Sequence, residues 1–414
     1  MPYMEHTYQL IAVSNPARQY TPQTVAALLQ LPNTRVVYLT AFWWLPQRFF
    51  WMRWLALLPG MRRQLAKKTA PQVPENAVVV HITGILFSLL GRWIVGGEKR
   101  SFWEDRLHDQ WVARWVGRHR PSIFIGYEKS AYRSFGAVQQ YGGTCILDLA
   151  QVHPHYIAQL RQQYPFFAAI TGSERLFQQV QHIKLQEYEL VQQIWVLSDF
   201  AKATLLQQGI PEKKIRIMHL GVDNNIFIPR ENYPERPVLE LIFAGTVTER
   251  KGILLLLQLM ERLLTEPVRL TILGPIGGYI QTAQLQQPNI RYIPYCTQKE
   301  MNTYFQAADV FVFPSYLDSW AMVVIEAMQT GLPVLVSEAT GAKDAVTNGA
   351  GMVLPVAAID AWEAAIHTIL QQPQLIAGMG YKAAAAAAYY TWGQYHQSVQ
   401  AAIGMGECLY LPKN

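Results

Sequence analysis

Short apolar runs alternate with amphipathic stretches along most of the 414 residues. In the first half the apolar runs predict strands, and the stretches between them, such as QTVAALLQL and SFGAVQQY, have the spacing of helices. The predicted strands of this half are TYQLIAVS, TRVVYLTAF, AVVVHIT, SIFIGY, GTCILDLA, IWVLS and KIRIMHLGV. A second alternating series has the strands LELIFAG, VRLTILG, NIRYIPY, DVFVFPS and LPVLVS. Alternation of this kind predicts parallel sheets covered by helices on both faces.

A polar, proline-bearing segment, NNIFIPRENYPERP, separates the two series and is the best linker candidate. We therefore predict an α/β fold with two Rossmann-like domains that face one another across a cleft. The predicted domains are residues 1–225 and 236–385, and residues 386–414 are expected to form a helix that returns to the first domain. Because such sheets bind ligands beyond the carboxyl ends of their strands, the loops after Gly245, Gly274 and Ser315 should line the cleft.

Composition sets broad limits on the class of protein. Half of the residues are hydrophobic and 15% are charged, which favours a large buried core over disorder. Cys145, Cys296 and Cys408 lie far apart without metal-type spacing, which favours a reducing compartment. We see neither a secretory leader pattern nor an apolar run long enough to span a bilayer, so a cytoplasmic protein is expected.

The formal net charge of +6 raises the question of an anionic partner. Nucleic acid would require a basic face or a recognisable module, and because we find neither we predict no nucleic-acid partner. Basic residues instead gather with aromatic ones in residues 41–68, AFWWLPQRFFWMRWLALLPGMRRQLAKK. This pattern fits a peripheral membrane-surface element. It fits a packed aromatic lobe with a solvated basic edge equally well.

Two acids stand out in residues 311–337, FVFPSYLDSWAMVVIEAMQTGLPVLVS. Asp318 follows a buried strand, a helix is expected to begin near Ser319, and Glu326 lies about two turns into that helix. The helix N-terminus could bind a diphosphate, and Glu326 could accept hydrogen bonds from ribose hydroxyls. On spacing alone, an ordinary strand-to-helix unit carrying the same two acids explains the pattern as well.

Two cations occupy the corresponding place after an earlier strand, in LIFAGTVTERKGI, residues 241–253. Arg250 and Lys251 precede Gly252 at the start of a helix. A departing diphosphate gains negative charge, which such cations can stabilise. A solvated charged turn is the plain alternative, but the position at the carboxyl end of a strand favours phosphate binding.

These segments resemble glycosyltransferase family 4, a retaining family with the GT-B fold. The resemblance runs from residue 196 to about 395 and rests on VLSDFAKATLLQQGIPEKKIRIMHLGVDNNIF, AGTVTERKG, YFQAADVFVFPSYLDSWAMVVIEAMQTGLPVL, GAKDAVTNGAGMVLPV and TWGQY. It implies that Lys251 contacts the donor phosphates, that Glu326 contacts the ribose, and that Asp318 lies at the donor sugar and the departing phosphate. The full implied donor-binding set is Gly245, Thr246, Arg250, Lys251, Ser319, Trp320, Ala321 and Glu326.

The chain departs from the family pattern at the donor site. Asp318 stands where the family usually has Glu, and Thr246 stands where it usually has Arg, so Arg250 is the candidate for the missing charge. Ser319, Trp320 and Ala321 replace the small glycines that usually follow the first acid. A close approach of the backbone to the sugar phosphate is therefore in doubt.

The first domain should supply the acceptor side. LDLAQVHPHY, residues 147–156, resembles the segment in which the family places a histidine at the reacting sugar, and His153 is the first candidate, with His155 second. A structural histidine is the alternative. Asn15 and Arg18 follow the first strand and are positional candidates for acceptor contacts. Glu187–Glu189 resembles a helix of the family, but a solvated helix face explains it as well.

The predicted function is transfer of a sugar, with retention of configuration, from a UDP- or GDP-linked donor to a saccharide or lipid-linked acceptor, as in polysaccharide or glycolipid assembly. The chain has no Asp-x-Asp pair, so we expect no metal and no cofactor. The catalytic candidates are Asp318, Lys251 and His153. The alternatives are a nucleotide-sugar epimerase or sugar phosphorylase on the same fold, and a degenerate, non-catalytic partner protein. A nicotinamide-dependent oxidoreductase is disfavoured because no Gly-x-Gly-x-x-Gly follows the first strand.

Overall fold

The computed structural model describes residues 8–50, 52–55, 69–81 and 97–407. The first half forms a parallel sheet of seven strands in the order β3-β2-β1-β4-β5-β6-β7. Its strands are β1 (Gln9–Ser14), β2 (Thr34–Thr40), β3 (Val78–Val80), β4 (Ile123–Tyr127), β5 (Thr144–Leu149), β6 (Gln193–Val196) and β7 (Ile215–Ile217). Six of the seven lie within an apolar run that predicts a strand, and β6 begins one residue before IWVLS. The agreement arises because a buried parallel strand is apolar on both faces.

Eight helices of the described residues accompany this sheet, and several were not predicted. They are α1 (Thr21–Leu28), α2 (Met52–Leu55), α3 (Gly97–His119), α4 (Tyr132–Gln139), α5 (Pro154–Gln163), α6 (Pro165–Thr171), α7 (Glu174–Leu190) and α8 (Asp199–Leu206). The longest, α3, buries Asp105, His108, Asp109, Val112 and Val116, which are spaced as one helix face. Three of these five positions are polar, which hides the apolar period that would reveal the helix from sequence.

The second half forms a parallel sheet of six strands in the order β10-β9-β8-β11-β12-β13. Its strands are β8 (Leu239–Ala244), β9 (Val268–Leu273), β10 (Ile290–Ile293), β11 (Val310–Phe313), β12 (Val334–Ser337) and β13 (Gly351–Leu354). Its helices are α9 (Ile253–Arg262), α10 (Gln298–Ala307), α11 (Met322–Gln329), α12 (Ile359–Gln371) and α13 (Gln374–Ala387). All residues of β11 and β12 are buried, so helices cover this sheet on both faces. The predicted α/β class with two Rossmann-like sheets is confirmed.

The last helix, α14 (Trp392–Glu407), packs against α1 of the first domain. The Tyr395 hydroxyl lies 2.6 Å from Thr24 Oγ1, and the Gln400 amide donates to the Ala27 carbonyl at 3.0 Å. Just after β7, a Cβ on Gly221 would lie 2.2 Å from the carbonyl carbon of Thr391, so only glycine allows this approach. The chain therefore returns to the first domain, as the predicted fold requires.

The aromatic and basic segment, residues 41–68, is only partly a surface. Residues 51 and 56–68 lie outside the described residues, and so does Cys408. In the described part, Trp43 is 1% exposed and packs edge-on against Tyr38 at a ring-centroid distance of 5.6 Å. Phe50, by contrast, is 72% exposed. For Trp43 the packed-lobe alternative therefore applies, because its indole lies in the core of the first domain. Among the described residues, none of the helices has the length and apolar character needed to cross a bilayer.

Candidate active site

The candidate site lies where the strand order of the second sheet reverses, between β8 and β11. The loops that follow these strands, residues 245–252 and 314–321, meet at the carboxyl edge of the sheet. Gly252 is left-handed with φ 79°, and a Cβ there would lie 2.1 Å from the carbonyl oxygen of Pro314. The Tyr316 amide donates to the Arg250 carbonyl at 2.8 Å. The two loops are therefore packed together as one unit.

Lys251 and Asp318 form an ion pair between the two loops. Their side chains are 12% and 17% exposed, and the Lys251 ammonium lies 4.8 Å from the centre of the Phe313 ring. Burial lowers the pKa of Lys251, although Asp318 opposes that shift. Burial acts to raise the pKa of Asp318, but the charges of Lys251 and Arg250 outweigh it and the net shift is downward. The structure thus brings together, as an ion pair, the two residues that the sequence predicted to act on the donor.

Asp318 also organises the loop that precedes α11. Its Oδ1 accepts hydrogen bonds from the amides of Ala321 at 2.8 Å and Trp320 at 3.3 Å. Ala321 is left-handed with φ 61°, an uncommon conformation for a residue with a side chain. The helix consequently begins at Met322, and the prediction that it begins near Ser319 is wrong. The physical reason is that the left-handed backbone of Ala321 is incompatible with a helix, so the amides of Trp320 and Ala321 lie before the helix and are bound by the Asp318 carboxylate.

Glu326 lies on α11 and is 7% exposed. Its carboxylate accepts no hydrogen bond from any residue that the structure describes, and it has no ion-pair partner there. Burial raises its pKa to about 7. Because a buried carboxylate without partners is unfavourable, this position fits a group that is completed by a ligand.

The remaining donor-loop candidates differ in their surroundings. Gly245 has φ 142°, and Gly274 packs so closely against it that a Cβ on Gly274 would lie 2.0 Å from the Gly245 carbonyl oxygen. Thr246 is exposed at the tip of the loop. Arg250 is half-buried, and its guanidinium donates to the carbonyl of Leu317. Arg250 therefore adds positive charge near the Lys251–Asp318 pair while it holds the second loop in place.

Ser319 and Trp320 connect the loop after β11, residues 314–321, to the first domain. The Ser319 hydroxyl donates to the Ala150 carbonyl, and the Ser319 carbonyl accepts from the Ser198 hydroxyl at 2.7 Å. The Trp320 indole is 1% exposed and donates to the Leu220 carbonyl at 3.2 Å. The side chains of these two predicted donor-binding residues thus make contacts between the domains.

His153 lies beyond the carboxyl end of β5, three residues after Ala150, and is the N-cap of α5. It is 4% exposed, and its Nδ1 accepts from the amide of His155 at 3.1 Å. Burial, aided by His155 and Lys184, lowers the pKa of His153 to about 4, so the ring is neutral at neutral pH. An accepting Nδ1 leaves the proton on Nε2, which makes this ring a hydrogen-bond donor at that atom. His155 is exposed on the first turn of the helix.

The two positional acceptor candidates lie beside a cavity of about 390 Å³ at the carboxyl edge of the first sheet. Asn15 is fully buried, donates to Thr21 Oγ1 at 2.7 Å and accepts from the Ala17 amide at 2.9 Å, so its side chain mainly shapes the loop. Burial lowers the pKa of Arg18, which lines the same cavity. The other charged or imidazole side chains of the lining are His81, Arg100, Glu104, Asp105, His108 and Lys129.

Glu187 was not predicted as a site residue, and its position corrects the view of Glu187–Glu189 as a solvated face. Glu187 is fully buried, whereas Glu189 is exposed. Its carboxylate accepts from the amides of Lys129 at 2.7 Å and Ala131 at 2.9 Å, which fixes the loop after β4 beside the cavity. Burial raises its pKa to about 8, although these two amides oppose the shift. The only signal of this role in the sequence is that Glu187 stands beside a tyrosine, Tyr188, near the end of a helical stretch.

The edge of the second sheet thus offers the cation of Lys251, the carboxylate of Asp318, and the buried carboxylate of Glu326, which has no partner among the described residues. Together these groups suit a diphosphate that is linked to a hydroxyl-bearing sugar. Residues 227–386, which contain all three groups, match the family model of glycosyl transferases group 1. A D-inositol 3-phosphate glycosyltransferase of Streptomyces bingchenggensis is 30% identical over 210 residues, which cover 44% of this chain and 46% of the relative. One of the same description from Pseudarthrobacter chlorophenolicus is 27% identical over 224 residues, or 47% and 53% of the two chains. The chain therefore spans about half the length of the curated relatives that it matches.

Solved structures are similar over nearly the whole chain. Sucrose-phosphate synthase from Thermosynechococcus elongatus has a TM-score of 0.65 at 16% identity and covers 97% of this chain and 100% of its own. HepE of Anabaena in complex with UDP has a TM-score of 0.64 at 12% identity, with coverages of 96% and 100%. At these identities the likeness shows the fold alone, and it confirms the predicted GT-B arrangement.

Proposed function

We propose that this chain, whose residues 227–386 belong to the glycosyl transferases group 1 family, is a retaining glycosyltransferase with a UDP- or GDP-linked sugar as its donor. The acceptor is a saccharide or a lipid-linked saccharide, and no metal ion takes part in the transfer. The observation that carries the proposal is the Lys251–Asp318 ion pair at the switch point of the second sheet, with the buried Glu326 on the helix that follows the Asp318 loop.

Each part of the donor is assigned to one side chain at the carboxyl edge of the second sheet. Glu326 accepts hydrogen bonds from the ribose, since its carboxylate is 7% exposed and lacks a partner among the described residues. Lys251 binds the diphosphate, and Asp318 lies at the sugar and holds the loop through the amides of Trp320 and Ala321. The solved complexes of HepE with UDP and with UDP-glucose make a uridine donor the first to test.

Charge development explains how these groups would accelerate transfer. When the bond between the anomeric carbon and the phosphate oxygen breaks, negative charge grows on the departing diphosphate. Lys251, with Arg250 nearby, stabilises that charge in a site of low polarity. The acceptor oxygen forms its bond to the same carbon on the same face, and its proton passes to the departing phosphate oxygen. The configuration of the sugar is therefore retained.

The first domain would present the acceptor. His153 follows Ala150, whose carbonyl binds the donor loop, so the Nε2 proton of His153 is the proposed donor to a hydroxyl of the reacting sugar. Asn15 and Arg18, beside the cavity of the first sheet, and His155 are the proposed acceptor-side residues. The names of the curated relatives add a phosphorylated polyol to the acceptors worth testing.

A cytoplasmic location with peripheral membrane contact is part of the proposal. The exposed Phe50 and the basic residues of residues 41–68 support it, and a lipid-linked acceptor would lie at such a surface. Binding of the protein to vesicles that contain anionic lipid, compared with neutral vesicles, tests this point. Equal binding to both would contradict it.

The experiment that tests the function is consumption of a panel of UDP- and GDP-sugars by the purified protein, with and without saccharide acceptors. We expect one donor to be consumed, and the Lys251→Met variant to lose this activity because the methionine keeps the apolar stem over Phe313 without the charge. Lys299→Met, on the exposed face of α10, is the matched control and should keep it. If wild-type protein consumes no donor and no nucleoside diphosphate raises its melting temperature, the catalytic proposal is wrong and a non-catalytic partner protein is favoured.

The product distinguishes a transferase from other enzymes on this fold. An epimerase would convert the donor without any acceptor, and a phosphorylase would require inorganic phosphate. We expect a new glycoside with the anomeric configuration of the donor, which proton NMR of the product measures.

A further inference from the structure

A cluster of three potential metal ligands lies where the two domains meet, outside the donor site. Asp199, His219 and Asp344 each offer one ligand atom, and these atoms all lie within 4.8 Å of one another. Asp199 is the first residue of α8, and His219 follows β7, so both belong to the first domain. Asp344 belongs to the second domain, in a 3₁₀ turn, Gly341–Ala345.

The backbone brings these side chains together through contacts that do not depend on a ligand. Asp344 Oδ2 accepts the Asp199 amide at 2.7 Å, which ties the turn to the start of α8. A Cβ on Gly341 would lie 2.5 Å from Ser198 Oγ, so glycine is required for this close contact. The two carboxylates are thus held near one another across the domain boundary, where their like charges repel.

The imidazole of His219 is positioned separately. Its ring lies 4.7 Å from the ring of Trp320 and 5.2 Å from that of Tyr390, measured between centroids. Its Nε2 is buried from solvent and has no hydrogen-bond partner among the described residues. An imidazole that has an unpartnered buried nitrogen and lies beside two carboxylates is the arrangement that a cation would complete.

From this geometry we propose that Asp199, His219 and Asp344 bind a divalent metal ion, and that this ion is zinc. An imidazole with two carboxylates is a ligand set that zinc accepts, whereas magnesium and calcium prefer oxygen ligands alone. Zinc bonds of about 2.0–2.2 Å place ligand atoms roughly 3–3.5 Å apart, so small side-chain rotations would close the cluster around the ion. Asp199 is exposed, and water completes the coordination from its side.

The ion would link the two domains beside the donor loop. Trp320 packs on His219 and is two residues from Asp318, so metal binding would fix the domain contact that holds this loop. The site does not touch Lys251 or Asp318, and the metal has no part in the transfer chemistry. The proposal is therefore independent of the proposed function.

Zinc binding to the full-length protein tests the site directly. Protein treated with chelator and desalted is titrated with zinc chloride in a calorimeter, without nucleotide. We expect one equivalent of zinc to bind. Two variants remove one ligand each. His219→Phe keeps the ring contacts, and Asp344→Asn keeps an amide oxygen that accepts the Asp199 amide. Each should weaken zinc binding by more than about tenfold, since even the loss of a residue that only supports a ligand can weaken metal binding that much. His182→Phe, at an exposed position on α7, is the matched control and should bind as wild type does.

Melting temperature gives a second measurement. Zinc binds the folded protein and should raise the melting temperature of wild type and of His182→Phe, but not that of His219→Phe. Circular dichroism in chelator verifies that the variants are folded. If wild type binds no stoichiometric zinc, or if all variants bind zinc equally, Asp344 serves only to bind the backbone at the start of α8 and the proposal is wrong.

Discussion

Replacing Glu326 by glutamine should stabilise the ligand-free protein at neutral pH while it weakens donor binding. The carboxylate is 7% exposed and burial raises its pKa from 4.5 to about 7. A difference of about 2.5 in pKa, at 1.36 kcal/mol each, corresponds to roughly 3 kcal/mol of unfavourable free energy for the charged form. Glu326→Gln has nearly the same shape and cannot ionise, so it lacks this cost.

The sign of the effect determines its pH dependence. Because the pKa of Glu326 is higher in the folded than in the unfolded state, the folded state loses stability as pH rises from about 4.5 to about 7. The stability gain of Glu326→Gln should therefore be near zero at pH 4.5, grow through this range, and reach a plateau of about 3 kcal/mol above it. For a domain of this size that corresponds to roughly 6–12 °C in melting temperature.

Melting curves measured from pH 4.5 to 8.5, with and without UDP and GDP, provide the assay. A hydrogen bond to a charged group contributes about 1.5–3 kcal/mol, so the nucleotide Kd of Glu326→Gln should rise about 10- to 100-fold. Glu261→Gln changes an exposed carboxylate on α9 and should alter neither quantity. A melting difference that does not change with pH, together with unchanged nucleotide affinity, would refute the assignment of Glu326 to the ribose.

Three further outcomes are expected. Asp318→Asn keeps an acceptor for the Ala321 amide but leaves the Lys251 ammonium without its partner. The free energy of unfolding of the ligand-free protein should therefore fall by about 3 kcal/mol, and UDP should raise the melting temperature of the variant more than that of wild type. An unchanged response to UDP would contradict this. Because the pKa of His153 is lowered to about 4, His153→Gln should reduce kcat without changing the shape of the pH–rate profile between about pH 5.5 and 8. An inflection near neutral pH that disappears in the variant would show that His153 titrates there. Transfer should continue in EDTA, since Lys251 and Arg250 supply the positive charge, and a complete loss that added metal reverses would disprove metal-independent transfer.

Strands that are buried on both faces could be predicted from the sequence, whereas β13, which is only partly buried, was not predicted. β11, Val310–Phe313, is an uninterrupted apolar run, and no helical period competes with it. The helix α3 could not be predicted in this way, because Asp105 and Asp109 occupy its buried face. Asp109 accepts hydrogen bonds from the amides of Arg133 and Ser134 at the start of α4, a partner that only the tertiary structure provides.

For the candidate site, the sequence indicated residues but not their local geometry. Spacing together with the family resemblance indicated Lys251, Asp318 and Glu326, and the structure brings the first two into contact. Spacing could not reveal that Ala321 has φ 61°, which delays the helix to Met322. Nor could it reveal that Glu187 is fully buried and binds the loop after β4, because its partners are backbone amides distant in sequence.

The residues that replace the family's glycines after Asp318 give this donor loop a different kind of support. Glycines would permit a close backbone approach but would leave the loop more conformational freedom. Here the Ser319 hydroxyl and the Trp320 indole are buried and donate to carbonyls of the first domain. Ala321 adopts a left-handed conformation that costs of order 1 kcal/mol or more without glycine, and these contacts together with the Asp318 carboxylate offset that cost. The loop is therefore held in place without a ligand, so under the proposed function less ordering is required when the donor binds, and the stability of the contact between the domains should influence donor affinity.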